Sequence, residues 1–372
     1  MPFMPLAILS MWIFGLLSLA LLFGGGYVIY EWWRGVFLST VTLTAGIGVL
    51  ILSFLGRFIV LALHPRGDDE PSWAHEKEVR LLERPDGTVL HLEMSGPSDG
   101  SPVILVHGWG VDNRAFYYTK RSLSVEHRVV AWDLRGLGTS SPAGQNDYSL
   151  DAMADDLAAV VHLAGAPAVI LGHSIGGMIV LRFARRHADQ LASDVRSLVL
   201  VGTTYTDPTR TMLAASVMHA LERPLFTPLM YLTIAFSPVV WAMNWLAYLN
   251  GSQIMATAFS GFSGAQTRKQ LDFASLFFVK ARPSVLARGM LAMFAFDETS
   301  SIGNITVPVL IVSADHDPVV QPRAGDHMAS VIPNVTLKGL TLAKHMALME
   351  RYGEFNDILA NFIVHHATFG VR

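Results

Sequence analysis

Between Met1 and Tyr30 the chain carries no charged side chain, and after Glu31-Trp32-Trp33-Arg34 another 22 uncharged residues run from Gly35 to Gly56. Arg57 interrupts, and the apolar run resumes to His64. A transmembrane helix needs about 20 mainly apolar residues, and both stretches meet that length. Tyr27, Tyr30, Trp32 and Trp33 cluster where the first stretch ends, as in the aromatic belt at a membrane surface. A cleaved signal peptide fits poorly, because no basic segment precedes the first run and a second apolar span follows it. Residues 1–64 are therefore expected to form a hairpin of two transmembrane helices.

Orientation rests on few charges. The connecting loop holds one Glu and one Arg, whereas Arg57, Arg66, Lys77 and Arg80 lie on the far side of the second span. The positive-inside bias places both termini, and the domain that follows, in the cytoplasm.

The rest of the chain reads differently. Residues 65–76, with two prolines, a glycine and a charge run, form a linker. Beyond them short apolar strands alternate with helical segments. Residues 77–96 read as a hairpin turning at Asp86-Gly87, and 102–108, 127–136, 168–172, 195–202, 307–315 and 334–342 as strands. Residues 149–165 have helical spacing, with Leu150, Met153, Ala154, Leu157, Val160 and Val161 on one face, and a helix closes the chain from Ala347 to His366. Such alternation implies a mostly parallel sheet covered by helices, with ligands bound beyond the carboxyl ends of its strands. The core is expected to comprise 77–205 and 306–372.

Between 206 and 305 the alternation lapses into a helical, apolar insertion. It contains 44 residues, Pro224 to Thr267, without one Asp, Glu, Lys, Arg or His. Pro228 and Pro238 interrupt it, and only 12 residues separate Pro238 from Gly251, too few to span a bilayer of about 20 residues. A lid over the core is expected, with the further prospect that it lines an acyl pocket and dips into the lipid surface.

Composition narrows the chemistry. The formal charge of −3 shows no basic excess, so nucleic acid is not an expected partner. The absence of cysteine excludes disulfides, thiolate metal sites and a cysteine nucleophile.

One motif carries reactivity. Gly172-His173-Ser174-Ile175-Gly176 is a GxSxG sequence between a predicted strand and a predicted helix. A sharp strand–turn–helix exposes the serine, and the flanking glycines let the two backbones pass closely. The helix N-terminus supplies free N–H groups where negative charge develops. A hydroxyl needs a base, and His345 stands at a strand end just before the terminal helix. Asp317, with Asp315 as the alternative, lies at the end of the preceding strand and supplies the orienting acid. The backbone N–H groups of Ile175 and Trp109 are the expected oxyanion donors. Trp109 and His173 are the expected substrate contacts.

Five segments occur in one order: His107–Gly110 (HGWG), Asp133–Ser141 (DLRGLGTSS), Gly172–Gly177 (GHSIGG), Ala314–Val320 (ADHDPVV) and Lys344–Glu350 (KHMALME). In this the chain resembles the α/β-hydrolase superfamily over about residues 77–366. The resemblance implies an α/β-hydrolase fold, with Asp317 at the acid position, His345 at the base position, and His107, Asp133 and Arg135 as structural residues of the loops. It departs from the common family pattern at Ala314, where glycine is frequent, and at Gln321, which separates the valine pair from Pro322. Members similar to epoxide hydrolases and dehalogenases carry an aspartate at the elbow, which Ser174 argues against.

The expectation is a membrane-anchored serine hydrolase that cleaves hydrophobic, lipid-derived carboxylic esters, such as a monoacylglycerol, through an acyl-enzyme. It needs no metal or organic cofactor, and its partners are the bilayer and a hydrophobic ester. An amidase, thioesterase or perhydrolase on the same triad, or a tethered scaffold without turnover, are the competing readings.

Overall fold

The structure, a computed structural model, describes residues 4–165 and 167–366. It opens with two long apolar helices, α1 (Met4–Trp33) and α2 (Thr40–Ala62). Both are long and apolar enough to cross a membrane. Their few hydroxyls are turned back onto their own helices: Ser18 donates to the Phe14 carbonyl, Thr44 to Thr40 and Ser53 to Val49. Such back-bonding satisfies these three hydroxyl donors within their own helices. The helices meet through small residues. A Cβ on Gly46 would come within 2.9 Å of the Ile29 side chain, so only glycine permits this approach.

An eight-stranded sheet follows: β1 (Glu78–Glu83), β2 (Val89–Ser95), β3 (Pro102–Val106), β4 (Arg128–Trp132), β5 (Ala168–His173), β6 (Val195–Val201), β7 (Val309–Ala314) and β8 (Val335–Leu340). Their spatial order is β1-β2-β4-β3-β5-β6-β7-β8. The β1–β2 hairpin and the β2–β4 pair are antiparallel, and every later pairing is parallel. β3 to β6 are buried nearly throughout, because helices cover both faces. Chain order reverses at β3, which lies between β4 and β5. The loops leaving β3 and β5 therefore border one crevice at the carboxyl edge, the usual place for a ligand site in such sheets.

Helix α3 (Leu150–Ala164) buries the six residues its spacing picked out, Leu150 to Val161, and Ser149 caps it by accepting from the Ala152 N–H. Helix α4 (Ile175–Arg186) leaves the elbow after β5 and is buried along most of its length.

The 206–305 insertion is helical: α5 (Thr227–Ala235), α6 (Ser237–Leu249), α7 (Ser252–Gly261), α8 (Arg268–Lys280) and α9 (Pro283–Phe294) are its main elements. Its two ends are joined by an antiparallel bridge between Thr206 and Asp297, and the Glu298 N–H donates to the Tyr205 carbonyl at 2.8 Å. The apolar run does not continue straight. It bends by 98° at Phe236, between α5 and α6, where Pro238 removes a backbone donor in the first turn of the new helix.

The insertion is bolted to the N-terminal helices. The Trp12 indole donates to Thr233 Oγ1 at 2.9 Å, and the Asn250 amide to Ser18 Oγ at 2.7 Å. Gly15 of α1 leaves room for Met243, and a Cβ on Gly56 of α2 would lie 2.3 Å from the Asn250 carbonyl oxygen.

The closing helix departs from expectation. It breaks at Arg351 into Ala347–Glu350 and α10 (Tyr352–His366). At the break the Glu350 carboxylate accepts from the Ser263 and Ala265 N–H groups, at 2.8 and 3.0 Å, so a contact with the insertion interrupts the helix.

Candidate active site

β5 ends at His173, and Ser174 turns the chain into α4 with φ 56° and ψ −124°. Non-glycine residues rarely adopt this conformation, and such strain persists only where neighbours over-determine it. The neighbours are visible. The Ser174 N–H donates to the Val201 carbonyl at 2.9 Å, and the Thr203 hydroxyl donates to the Ser174 carbonyl at 2.6 Å. The motif glycines have a steric reason: a Cβ on Gly172 would meet the Gly176 backbone at 2.5 Å, and one on Gly176 would meet the Val106 carbonyl oxygen at 2.1 Å.

His345, on the loop after β8, places Nε2 3.0 Å from Ser174 Oγ. Its Nδ1–H donates to Asp317 Oδ2 at 2.8 Å. The second Asp317 oxygen accepts from the Val319 and Val320 N–H groups, at 2.7 and 3.1 Å. Ser174, His345 and Asp317 are all buried, with Ser174 only 5% exposed. Asp315, the alternative acid, points elsewhere: it accepts from the Leu342 and Ala343 N–H groups at 3.0 and 3.1 Å and so shapes the loop that carries His345.

The loop after β3 lies beside the elbow, because Val106 is paired with Gly172. His107 is buried, and burial lowers its pKa and keeps it neutral. Its Nδ1–H donates to the Gly108 carbonyl at 2.7 Å while Nε2 accepts the Leu134 N–H at 2.9 Å. Asp133 accepts from the Asn113 and Thr139 N–H groups, and Arg135 grips both oxygens of Asp156 at 2.8 Å. These residues tie the β3 and β4 loops together. Ile175 begins α4, so its N–H has no partner within the helix. Trp109 is buried, and its indole reaches the 206–305 insertion, where Nε1 donates to the Leu286 carbonyl at 3.0 Å. Nothing in the sequence marked Leu286 as its partner, since it lies 177 positions away in a segment without a motif.

His173 was expected to touch substrate. Its Nε2–H donates to the His345 carbonyl at 3.0 Å, and burial, with His345 beside it, lowers its pKa to about 3. That bond makes Nδ1 the lone-pair nitrogen. Nδ1 faces Gly108 and is a buried atom with no hydrogen-bond partner among the described residues. Thr203, which holds the elbow carbonyl, was missed, since a single threonine after a strand carries no pattern.

Two clusters among the described residues bring three potential metal ligands within 4.8 Å: His75, His91 and Glu93, and Asp207, His219 and Glu222. In the first, the Lys120 ammonium already lies 2.9 Å from Glu93 and neutralises it. In the second, burial and the adjacent Asp207 raise the Glu222 pKa. Neither cluster includes the serine, histidine or aspartate described above.

A family model described as alpha/beta hydrolase fold matches residues 101–352. The chain belongs to the α/β-hydrolase fold family. Among α/β-hydrolase relatives, the RutD protein of Variovorax paradoxus, named as a carbamate hydrolase, is 28% identical over 287 residues, covering 76% of this chain and 98% of that protein. A pimeloyl–acyl-carrier-protein methyl ester esterase of Chromobacterium violaceum is 26% identical, over 74% of this chain and 98% of the relative. Among solved α/β-hydrolase structures, an esterase from Exiguobacterium antarcticum superposes with a TM-score of 0.62 at 22% identity, covering 77% of this chain and 99% of that one. The chain is a hydrolase of this fold, and α1 and α2 precede the matched region.

Proposed function

We propose that this hydrolase cleaves carboxylic esters with hydrophobic acyl chains, drawn from a bilayer in which α1 and α2 are anchored. The observation that carries the reaction class is the Ser174–His345–Asp317 line, at 3.0 and 2.8 Å. In this reading Ser174 Oγ attacks the ester carbonyl carbon while His345 Nε2 takes its proton. Asp317 keeps the imidazole in the required tautomer and stabilises the imidazolium. The N–H groups of Ile175 and Trp109 receive the developing oxyanion. His345 returns the proton to the leaving alcohol, and a water activated by the same nitrogen releases the acid. No step calls on a metal or organic cofactor.

Two observations support the hydrophobic ester. The lid carries no charged side chain from Pro224 to Thr267, and it packs directly on the two apolar helices. Each methylene buried in such surroundings contributes about 0.8 kcal/mol, enough to select chain length. The positive-inside bias supports a cytoplasmic catalytic domain.

A second reading, cleavage of a carbamate or amide on the same triad, draws on the relative named as a carbamate hydrolase. The full-length protein in lipid nanodiscs, given p-nitrophenyl esters from acetyl to decanoyl beside matched anilides, separates them. The ester reading expects kcat/KM to rise with chain length and the anilides to turn over slowly. A steady fall from acetyl to decanoyl would sink the hydrophobic ester, and faster anilide turnover would favour the second reading. A fluorophosphonate probe that fails to label Ser174 in folded protein would point to a scaffold without turnover.

A further inference from the structure

A cavity of about 400 Å³ opens between α7 and α1, and α1 lies outside the region matched by the family. Leu6, Leu9 and Ile13 line one wall, and Met255, Ala256 and Phe259 the other. Three serines also border it, and none offers it a free donor through its hydroxyl: Ser10 donates to the Ala7 carbonyl, Ser252 to Ala247 and Ser260 to Ala256. The wall residues face outward to an unusual degree for large apolar groups, with Ile13 48%, Met255 60% and Phe259 72% exposed. A groove with no polar demand, walled on one side by a helix long and apolar enough to cross a membrane, suits an apolar group such as an alkyl chain.

The groove is also coupled to the catalytic base. α7 runs from the groove to the loop that carries His345, and three bonds join them. The Lys344 ammonium donates to the Phe259 carbonyl at 2.5 Å, the Met346 N–H to the Gly261 carbonyl at 2.9 Å, and the Ser263 hydroxyl to the Leu342 carbonyl at 2.5 Å. His345 thus sits between two residues pinned to the end of the groove wall. Ser174 itself is nearly closed to solvent, so substrate has no wide aqueous approach in this state.

We propose that the groove between α1 and α7 holds the alkyl chain of the substrate, which enters sideways from the lipid, so that the first apolar helix is a wall of the substrate site as well as an anchor. The inference rests on the hydrophobic-ester reading above. It adds where the chain lies, and that residues 4–33, absent from the family match, help to select it.

The test uses the full-length protein in nanodiscs and plugs the groove from each wall separately, with Ile13→Trp on α1 and Ala256→Trp on α7. Neither residue belongs to the catalytic line. For each variant the decanoyl to acetyl ratio of kcat/KM is expected to fall at least about tenfold, the worth of roughly two buried methylenes, with acetyl turnover kept. An unchanged ratio in both variants, or an equal loss on both esters, overturns the inference while leaving the hydrophobic-ester reading intact, provided the wild type prefers decanoyl. A wild type that prefers acetyl fails the underlying reading, and the inference with it. A direct arm needs no variant: a long-chain alkyl phosphonate with a terminal diazirine is attached to Ser174 and photoactivated. Crosslinks to peptides containing Ile13 or Met255 are expected, and crosslinks confined to other segments overturn the placement.

Discussion

The Trp109 indole N–H donates to the Leu286 carbonyl at 3.0 Å, and the ring lies against Gly289 so closely that a Cβ there would be 2.0 Å from it. Trp109, proposed above as an oxyanion donor, is thereby plugged into helix α9 of the insertion. Gly289→Ala is predicted to push the indole away and to cost about 1–3 kcal/mol of stability through overpacking. It should also lower kcat on every ester regardless of chain length, because it displaces the Trp109 backbone. Steady-state kinetics on acetyl and decanoyl esters check this; a change confined to the long chain would mean that the lid contact serves substrate fit alone.

The two candidate acids should separate cleanly. Asp317→Asn leaves the geometry but removes the charge that holds the imidazole, and a loss of about 10⁴-fold in kcat is expected. Asp315→Asn weakens the two amide bonds that shape the His345 loop, each worth about 1 kcal/mol, and a surface contact with His316, so a modest loss is expected. Equal effects of the two substitutions on p-nitrophenyl acetate hydrolysis would count against Asp317 as the partner of His345.

Acid should expose the cost of burying His173. Its pKa is lowered to about 3 from an ordinary 6.5, so the unfolded chain takes up the proton first. The stability this neutral histidine contributes is complete above pH 6.5 and is lost as pH falls from there toward 3, with a limiting slope of about 1.4 kcal/mol per pH unit. His173→Gln keeps a donor for the His345 carbonyl without a titrating group. Thermal midpoints measured at pH 7.5 and 5 should therefore differ less in the variant than in the wild type, and an identical drop in both would show that other groups set the acid limit.

Removing the N-terminal helices is predicted to damage the fold itself. Ile8 and Met11 are buried, Trp12 is bonded to Thr233, and Ser18 is bonded to Asn250, so deletion of residues 1–66 uncovers the lid. The truncated protein is expected to bind a hydrophobic dye, to melt earlier, and to lose activity on acetyl as well as decanoyl esters. Undiminished acetyl turnover with an unchanged midpoint would show that the lid stands without α1.

The strands, the α3 face and the order of the segments that resemble the family were legible in the sequence. They depend on local signals: period-2 and period-3.6 apolar spacing, a glycine two residues either side of Ser174, and a histidine and aspartates at strand ends. The length of α1 and α2 was legible for the same reason, since composition alone sets it. What the sequence left open was every choice that depends on distant partners. Asp315 and Asp317 are equivalent in one dimension, and only the return of β8 beside β7 places Asp317 against His345 and Asp315 against the amides of Leu342 and Ala343. The terminal helix reads as unbroken, and it breaks because Glu350 finds Ser263 and Ala265 across the lid. Likewise the apolar run of the insertion reads as a near-span, while its bend at Phe236 and its seat on α1 follow from Trp12, Gly15 and Ser18 meeting residues more than 200 positions away. Local propensity fixes which segments form. Long-range packing, whose partners no short window contains, decides which of two neighbouring carboxylates meets the base and what the first helix touches.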